Sequence, residues 1–303
     1  MTSDNVTLAQ LVMHHGEVVS EIYGPDVTAQ TTLISWSMAK SVTHALVGIA
    51  QMDGLLNVSD SHLFSQWEAD ERRNITLQQL LEMRSGLSWV EDYVDGDASD
   101  VIDMLFGSGK NDNAGYAIAQ PLTSNPGAEW VYSSGTTNIV ARLLGNALGD
   151  ASGFHVNIEQ FMRSRLFDAI GMHAQPKFDA AGTFVGSSYV FATARDFAKF
   201  GLLYLRDGVC NGERILPEGW VDHARAQHAF DKETGLGYGA HWWTLPGERN
   251  SLVAAGYEGQ YIMVIPDRDL VVVRLGKTVA ELRNAVVAEL REVIEQFPVT
   301  GGR

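Results

Sequence analysis

Ser37 and Lys40 are the residues of this chain whose types and spacing indicate covalent chemistry. They lie three positions apart within residues 34–42, whose sequence reads ISWSMAKSV. Residues three apart on a helix share one face, with Cβ atoms roughly 5 to 6 Å apart, so the hydroxyl can meet the amine. A hydroxyl attacks a carbonyl group only with a base in hydrogen-bond reach, and a lysine is such a base only when its pKa falls. The spacing therefore predicts a nucleophilic serine beside a lysine base.

A plain structural role for Ser37 is the alternative at this point. The serine opens a helix, because the apolar residues after it recur at helical spacing until Asp53 and Gly54. Those apolar residues are Val42, Ala45, Leu46, Ile49 and Met52. Serine is a favoured N-cap residue, since its hydroxyl accepts a hydrogen bond from a free amide of the first helical turn. On spacing alone, both interpretations of Ser37 stay open.

Tyr132 is a candidate for proton transfer. It lies in the sequence WVYSSG at residues 130–135, where small residues mark the start of a helix. A phenol has an ordinary pKa of about 10, and a neighbouring ammonium would lower that pKa, so that the tyrosine acts first as base and then as acid. The alternative is a buried tyrosine whose hydroxyl is only hydrogen-bonded.

The sequence GYEGQ at residues 256–260 is a candidate oxyanion-binding segment. Its glycines permit close approach of the backbone, and an acyl-transfer site needs backbone amides aimed at the developing oxyanion. The alternative is a turn that needs positive φ angles.

The hydrophobic pattern places sheet at both ends of the chain and helices in the middle. Strand-like runs cover residues 8–13, 17–23, 235–245, 252–255, 261–265 and 270–275, with hairpin turns at 14–16 and 266–269. Helical spacing predicts helices near 37–53, 76–84, 99–106, 134–149, 157–170, 193–206 and 279–297. We expect an α/β (α+β) fold in which residues 1–60 and 185–303 form one domain and residues 61–184 a mainly helical one, with the site in the cleft between them.

The composition of the 303 residues excludes several classes of partner. With 37 acidic against 22 basic residues the formal net charge is −15, so we expect binding neither to nucleic acid nor to an anionic membrane. No apolar run approaches the roughly 20 residues of a membrane span. Cys210 is the only cysteine, which excludes an intramolecular disulfide. The polar N-terminus has no signal-peptide pattern, so we expect a cytoplasmic protein, provided that Met1 is the natural start.

The sequence lacks other catalytic patterns, among them the Gly-x-Ser-x-Gly elbow, His-Glu-x-x-His and the phosphate-binding loop. His14 and His15 lie in a predicted turn, and His223 and His228 are five apart, a spacing unsuited to shared metal ligation on a helix. The glycines of residues 235–239 lack the following helix that a dinucleotide fingerprint requires. We therefore expect neither a metal nor a cofactor.

The three motifs, in this order and at these separations, resemble those of the penicillin-recognising serine hydrolases, the serine β-lactamase and penicillin-binding-protein-like family. The similarity runs from residue 11 to residue 275 and includes LLEMRSGL at 80–87 and TARD at 193–196. The chain is most similar to the branch that contains class C β-lactamases, DD-peptidases, family VIII carboxylesterases and, most closely, 6-aminohexanoate-dimer (nylon-oligomer) hydrolases. The resemblance implies a β-lactamase/transpeptidase-like fold, with an antiparallel sheet flanked by helices and an inserted helical domain.

The resemblance also implies roles for the motif residues. Ser37 would form the acyl-enzyme, Lys40 would help to deprotonate it, and Tyr132 would pass a proton to the leaving amine or alcohol. The backbone amides of Ser37 and Tyr257 would form the oxyanion hole, and an amide at a helix N-terminus suits a developing negative charge. We therefore expect a serine hydrolase that forms an acyl-enzyme from a small amide or ester.

The sequence departs from the penicillin-binding enzymes at two places. Those enzymes carry a lysine or histidine on the strand that faces the nucleophile, where this chain reads SLVAAG at 251–256. Ser134 stands where many relatives have asparagine. Both departures favour an amidase or carboxylesterase over a β-lactamase or DD-peptidase. An inactive member of the fold that serves as a binding or regulatory module is the alternative from another class.

Candidate substrate-binding residues complete the predicted site. Tyr93 is comparable to a tyrosine that a mobile loop closes over the substrate in the nylon-oligomer hydrolases. The other candidates are Ser134, Gly256, Glu258 and Gln260. The oligomeric state is left open by the sequence.

Tyr93 lies in an acidic segment, residues 87–113, in which Lys110 is the single base. The seven acids are Glu91, Asp92, Asp95, Asp97, Asp100, Asp103 and Asp112. We hypothesise that this segment selects substrates with a free ammonium group, and a solvated loop is the alternative.

Overall fold

The computed structural model describes residues 5–93, 98–150 and 153–300 of the chain. Its strands are β1 (Asn5–His14), β2 (Glu17–Tyr23), β3 (Leu33–Ile34), β4 (Ala174–Pro176), β5 (Val190–Ala192), β6 (Val209–Cys210), β7 (Glu213–Arg214), β8 (Ala229–Asp231), β9 (Leu236–Tyr238), β10 (Trp243–Thr244), β11 (Leu252–Gly256), β12 (Gln260–Ile265) and β13 (Leu270–Thr278). Its α-helices are α1 (Ala39–Met52), α2 (Leu77–Leu81), α3 (Asp100–Phe106), α4 (Asn113–Ile118), α5 (Ser134–Ala147), α6 (Val156–Phe161), α7 (Ala194–Leu205), α8 (Trp220–Arg225) and α9 (Arg283–Glu295). Within these described ranges, no helix is both long enough and apolar enough to cross a membrane. The predicted α/β fold class is confirmed.

An eight-stranded antiparallel sheet is built from both ends of the chain. Its strand order is β2-β1-β13-β12-β11-β10-β9-β8, so the N-terminal hairpin lies against β13. The predicted hairpins are both present. His15 and Gly16 form the first turn with positive φ angles of 52° and 82°, and residues 266–269 form the second. Two smaller sheets, β3-β5-β4 and β6-β7, lie outside the large one.

Helices α7 and α9 cover opposite faces of the large sheet. Ile262 of β12 packs in the same core as α7, whereas its neighbour Met263 packs with α9. Successive residues of a strand point to opposite faces, so the two helices lie on the two sides. On the α7 side, a Cβ atom added to Gly201 would lie 2.6 Å from Val271 Cγ1, which shows how closely this helix approaches the strands. This covering explains why β12 is buried along its whole length.

Helix α1 is buried on all sides, which its amphipathic pattern did not predict. Every residue from Ala39 to Ala50 is buried, including polar residues that therefore need partners. Ser41 Oγ donates to the His241 carbonyl oxygen at 2.9 Å, and Thr43 Oγ1 donates to the Gly186 carbonyl oxygen at 3.2 Å. These bonds to distant segments fix the helix that begins at the candidate nucleophile.

The structure differs from the sequence prediction in a few elements. The single strand-like run at 235–245 is wrong, because β9 and β10 pair with each other around a turn in which His241 has φ 55°. The helix predicted near 157–170 is α6, followed by a π-helical turn (Met162–Phe167) and a 3₁₀ turn (Asp168–Ile170). Helices α4 and α8 and strand β8 are too short for hydrophobic periodicity to reveal them. The division into two domains stays a prediction.

Candidate active site

A 3₁₀ turn (Trp36–Met38) leads into α1 and carries Ser37. Trp36 has φ 43°, a left-handed backbone conformation that is uncommon for large side chains and that clusters at functional sites. Ser35 occupies the N-cap position of the turn, and Met38 occupies that of α1. Neither side chain forms a capping hydrogen bond within the described part of the chain. The Ser37 hydroxyl lies inside the turn and bonds to Lys40. The interpretation of Ser37 as a plain helix cap therefore does not hold in this structure.

Lys40 lies on the next turn and is 2% exposed. Its Nζ atom forms hydrogen bonds of 2.9 Å with Ser37 Oγ, 2.9 Å with Ser134 Oγ and 3.2 Å with the Ser187 carbonyl oxygen. Burial lowers the pKa of Lys40 to about 8, although the negative charge of Glu91 opposes this shift. A substantial fraction of the amine is therefore neutral near pH 8 and able to accept a proton, which is the condition that the sequence left open.

Tyr132 reaches the same cluster from the segment before α5. Lys40 Nζ lies over its ring, 4.8 Å from the centroid, and Tyr238 and Trp243 pack against the ring. Burial raises the pKa of Tyr132, the charge of Glu91 raises it further, and a hydrogen bond with Ser37 opposes the shift. The predicted lowering of the Tyr132 pKa is wrong, because desolvation of the phenolate dominates. Tyr132 is a neutral phenol that can donate a proton rather than a ready base.

The end of β11 lies beside the start of the nucleophile turn. A Cβ atom built on Gly256 would lie 2.5 Å from the backbone oxygen of Ser35 and 3.2 Å from the backbone nitrogen of Ser37, so glycine is needed for this approach. Glu258 and Gly259 have positive φ angles of 60° and 78°, which means that the segment is also a tight turn. The interpretation as a turn therefore holds. The end of β11 also lies next to the Ser37 amide, and the oxyanion hole formed by the Ser37 and Tyr257 amides stays a prediction.

Aromatic side chains surround this junction. Tyr257 packs edge-on against Trp36, with ring centroids 5.7 Å apart, and Tyr93 stacks on Tyr257 at 4.9 Å. Tyr93 is 36% exposed, so its ring forms part of the surface above the oxyanion segment. Glu258 is half-buried and accepts a hydrogen bond from Trp36 Nε1 at 3.2 Å. The structure therefore brings three of the candidate substrate-binding residues, Tyr93, Gly256 and Glu258, to one place.

Gln260 is a correction to the predicted set of substrate-binding residues. Its side chain is 2% exposed and is fully engaged with backbone groups. The amide nitrogen donates to the carbonyl oxygens of Tyr257 at 3.0 Å and Gly276 at 2.7 Å, and its oxygen accepts from the Gly276 amide at 2.9 Å. Gln260 thus holds the turn at residues 256–260 against β13, and its side chain does not face the site.

Glu91 is a site residue that the sequence analysis missed. It appeared there only as one of seven acids, yet its carboxylate accepts hydrogen bonds from the backbone and the hydroxyl of Ser134. The available signal was the spacing of Trp89, Glu91 and Tyr93, since alternate residues of an extended segment share one side. The structure places all three side chains together.

The acidic segment has structural roles that neither earlier interpretation included. Asp100 accepts from the Val90 amide at 2.8 Å and the Tyr116 hydroxyl at 2.9 Å. Asp103 accepts from Ser108, and Asp112 caps α4. These carboxylates therefore support the local structure, and selection of substrates with a free ammonium group stays a prediction. Two further members of the segment, Asp95 and Asp97, lie outside the described residues.

His44 and His223 form a hydrogen-bonded pair between α1 and α8. His44 Nε2 lies 3.0 Å from His223 Nδ1, and His223 Nε2 lies 2.9 Å from Gln78 Oε1. Burial lowers the pKa of His44 and lowers that of His223 to about 4, so both rings are neutral near pH 7. Across residues 5–93, 98–150 and 153–300, no group of three or more His, Cys, Asp or Glu side chains is arranged to hold a metal ion.

Comparison with known proteins agrees with this architecture. The family model described as Beta-lactamase matches residues 3–293. The 6-aminohexanoate-dimer hydrolase of Paenarthrobacter ureafaciens is 25% identical over 300 residues, which cover 90% of this chain and 73% of that protein.

Two solved structures extend the likeness to the fold. The protein described as "Putative 6-aminohexanoate-dimer hydrolase from Bacillus anthracis" has a TM-score of 0.80 at 21% identity, over 97% of this chain and 81% of that one. A penicillin binding protein from Bacillus halodurans has a TM-score of 0.73 at 16% identity, over 95% of this chain and 97% of that one. The fold and the family match define a β-lactamase-fold hydrolase. The chain belongs to the β-lactamase family.

Proposed function

We propose that this protein is a serine hydrolase that cleaves an amide or ester bond of a small substrate through an acyl-enzyme on Ser37. The observation that carries the proposal is the 2.9 Å hydrogen bond between Ser37 Oγ and a buried Lys40 whose pKa is about 8. A lysine in this state can accept the serine proton close to neutral pH.

The proton movements follow from the protonation states of the three side chains. Neutral Lys40 accepts the proton of Ser37 Oγ while that oxygen bonds to the substrate carbonyl carbon. The backbone amides of Ser37 and Tyr257 stabilise the negative charge on the carbonyl oxygen. The Tyr132 phenol donates a proton to the leaving nitrogen or oxygen and recovers one from the Lys40 ammonium. Water then attacks the acyl carbon, and its proton passes to Tyr132 while the phenolic proton of Tyr132 passes to neutral Lys40. The bond between the acyl carbon and Ser37 Oγ breaks, the carboxylic acid leaves, and the Lys40 ammonium returns a proton to Ser37 Oγ.

The substrate class is an amide or ester without a β-lactam carboxylate as its anchor. Strand β11, which runs beside the nucleophile, carries no cation between residues 251 and 256 to bind such a carboxylate. This favours an amidase or carboxylesterase like the 6-aminohexanoate-dimer hydrolases. The 25% identity to the Paenarthrobacter ureafaciens enzyme supports linear aminohexanoate amides as the first substrates to test.

Active-site labelling with a fluorophosphonate probe tests the proposal. We expect the wild-type protein to be labelled and Ser37→Ala to be unlabelled, because the probe bonds covalently to an activated serine oxygen. Ser65→Ala is the control. Ser65 is exposed and its hydroxyl bonds to the neighbouring Gln66 side chain, so this variant should keep its labelling. A folded wild-type protein that is not labelled would instead support an inactive binding member of the fold.

A substrate panel then separates the hydrolase classes. It contains p-nitrophenyl esters, amino-acid amides, linear aminohexanoate oligomers and the β-lactam nitrocefin. We expect turnover of esters or linear amides and little turnover of nitrocefin. Preferred turnover of nitrocefin would replace the proposed substrate class by that of a β-lactamase.

A further inference from the structure

The Glu91 carboxylate is hydrogen-bonded both to side chains near the surface of the site and to Ser134, which contacts the buried Lys40. It accepts hydrogen bonds from Trp89 Nε1 at 2.6 Å, the Tyr93 hydroxyl at 3.0 Å, the Ser134 amide at 2.8 Å and the Ser134 hydroxyl at 2.5 Å. A carboxylate has about four acceptor positions, so these donors occupy it completely. The short bond to the Ser134 hydroxyl is typical of a charge-assisted contact.

Ser134 connects Glu91 to Lys40. Its hydroxyl has one hydrogen, which it donates to Glu91, so its oxygen is left to accept from Lys40 Nζ at 2.9 Å. The direction of this relay is therefore set by the carboxylate. Because Lys40 also bonds to Ser37, the position of its amine depends on a chain of contacts that begins at Glu91.

The other groups around the lysine amine carry no charge of their own. The amine bonds to Ser37 and to Ser134 at the start of α5, and it lies over the Tyr132 ring. It also bonds to the Ser187 carbonyl oxygen before β5, and His241 in the turn between β9 and β10 is close enough to interact with its charge. Burial raises the pKa of Tyr132 and lowers that of His241 to about 3, so both are neutral near pH 7. Among these neighbours Glu91 is the charged one, and its charge raises the pKa of Lys40 against the effect of burial.

We propose that Glu91 is a positioning residue that ties the segment of residues 89–93 to the start of α5 and, through Ser134, holds Lys40 beside the nucleophile. The inference rests on the proposed hydrolase function. Without the carboxylate the Ser134 hydroxyl loses the acceptor that fixes its direction, and Trp89 and Tyr93 lose their common anchor. Glu91 also sets the pH at which Lys40 loses its proton, so burial and this one carboxylate together decide when the base is active.

Glu91→Gln tests the proposal, because it keeps the size of the side chain and removes its charge. The first measurement is the ¹³Cε NMR titration of Lys40, which requires no activity. We expect the Lys40 titration to move to lower pH by roughly 0.6 to 2.4 pH units. Coulomb's law gives this shift for two charges about 5 Å apart, the separation set by one intervening hydroxyl, at effective dielectric constants between 80 and 20. Glu129→Gln, which removes an exposed carboxylate, is the control and should leave the Lys40 titration unchanged.

The second measurement is the pH dependence of fluorophosphonate labelling. In Glu91→Gln the acid limb should move down with the Lys40 titration. The plateau rate should also fall at least tenfold, because all four contacts of the carboxylate are donors and the new NH2 group cannot accept from them, which displaces Ser134 and with it the amine. An unshifted Lys40 titration in folded Glu91→Gln, or a plateau rate within twofold of the wild type, overturns the proposal.

A second variant and the wild-type control cover the remaining outcomes. If Glu91→Gln does not fold, Glu91→Asp retains the charge on a shorter side chain, and a reduced plateau rate supports the proposal while an unchanged rate overturns it. A wild-type protein that is not labelled refutes the proposed function, and the NMR titration still tests the effect of Glu91 on Lys40.

Discussion

The starts of α1 and α5 are two serine-containing helix ends that serve opposite purposes. At α5, the Ser133 hydroxyl accepts a hydrogen bond from the Thr136 amide at 3.0 Å, and the Glu91 carboxylate accepts one from the Ser134 amide. At the turn that leads into α1, the described residues include no side-chain cap, and the Ser37 hydroxyl faces Lys40. The serine hydroxyl at the start of α5 serves as a cap, whereas the Ser37 hydroxyl before α1 is bonded to a lysine amine.

This difference shows how one residue type acquires two functions. A capping hydroxyl is committed to a backbone amide, and this commitment stabilises the helix. The turn into α1 forgoes that stabilisation and is held instead by bonds from later residues of the helix, such as Ser41, to other segments. The amides at its start remain near β11, where an oxyanion would lie.

Removal of the Lys40 amine, which distinguishes the start of α1 from that of α5, should have the largest effect on activity. We expect Lys40→Ala to lower kcat/KM on a p-nitrophenyl ester by roughly 10² to 10⁴-fold, because Ser37 loses its general base. The fold should be retained, as judged by circular dichroism and Tm, since the substitution removes a buried amine. Lys232→Ala, an exposed lysine in the loop after β8, is the control that should stay near the wild-type rate. Near-normal turnover in Lys40→Ala would exclude its role as the base.

The pH dependence of activity should be the next effect in size. Lys40 must be neutral to accept a proton, so kcat/KM should rise tenfold per pH unit below the Lys40 pKa of about 8 and level off above it. Because burial raises the pKa of Tyr132, no loss of activity from its ionisation is expected up to about pH 10. The measurement is kcat/KM from pH 6 to pH 10 on an ester whose leaving group is followed at its isosbestic wavelength. A flat profile between pH 6 and pH 9 would contradict the assignment of Lys40 as the base.

The smallest expected effect is on stability, and it distinguishes the two helix ends directly. Ser133→Ala should lower the free energy of unfolding by about 1 kcal/mol, because α5 loses its cap. Ser37→Ala should lower it less, since no cap is lost there, although this variant is expected to abolish labelling. Urea unfolding of the two variants checks the order. A larger destabilisation by Ser37→Ala would mean that its hydroxyl also has a capping role.

Local sequence patterns predicted much of the fold and the centre of the site. The hairpin around His15 and Gly16 and the helix after Ser37 follow from turn residues and periodicity, and both are present. Short elements such as α8 escaped prediction, because six residues are too few to show a period. The division of residues 235–245 into two strands, β9 and β10, was not predicted either. That turn is held by a bond from the His241 amide to the Leu81 carbonyl, 160 residues earlier in the chain.

The sequence by itself determined that a serine hydroxyl and a lysine amine meet. Ser37 and Lys40 are three residues apart on one helical turn, so their contact is a local property of the chain. Only the tertiary structure decided their chemical state. Burial lowers the Lys40 pKa, and the groups that enclose its amine, Ser134 and Ser187, lie far from it in sequence. The bonds from Ser134 to Glu91 and from Gln260 to Gly276 likewise join residues 43 and 16 positions apart. Desolvation depends on everything that packs around a group, and no local pattern records it.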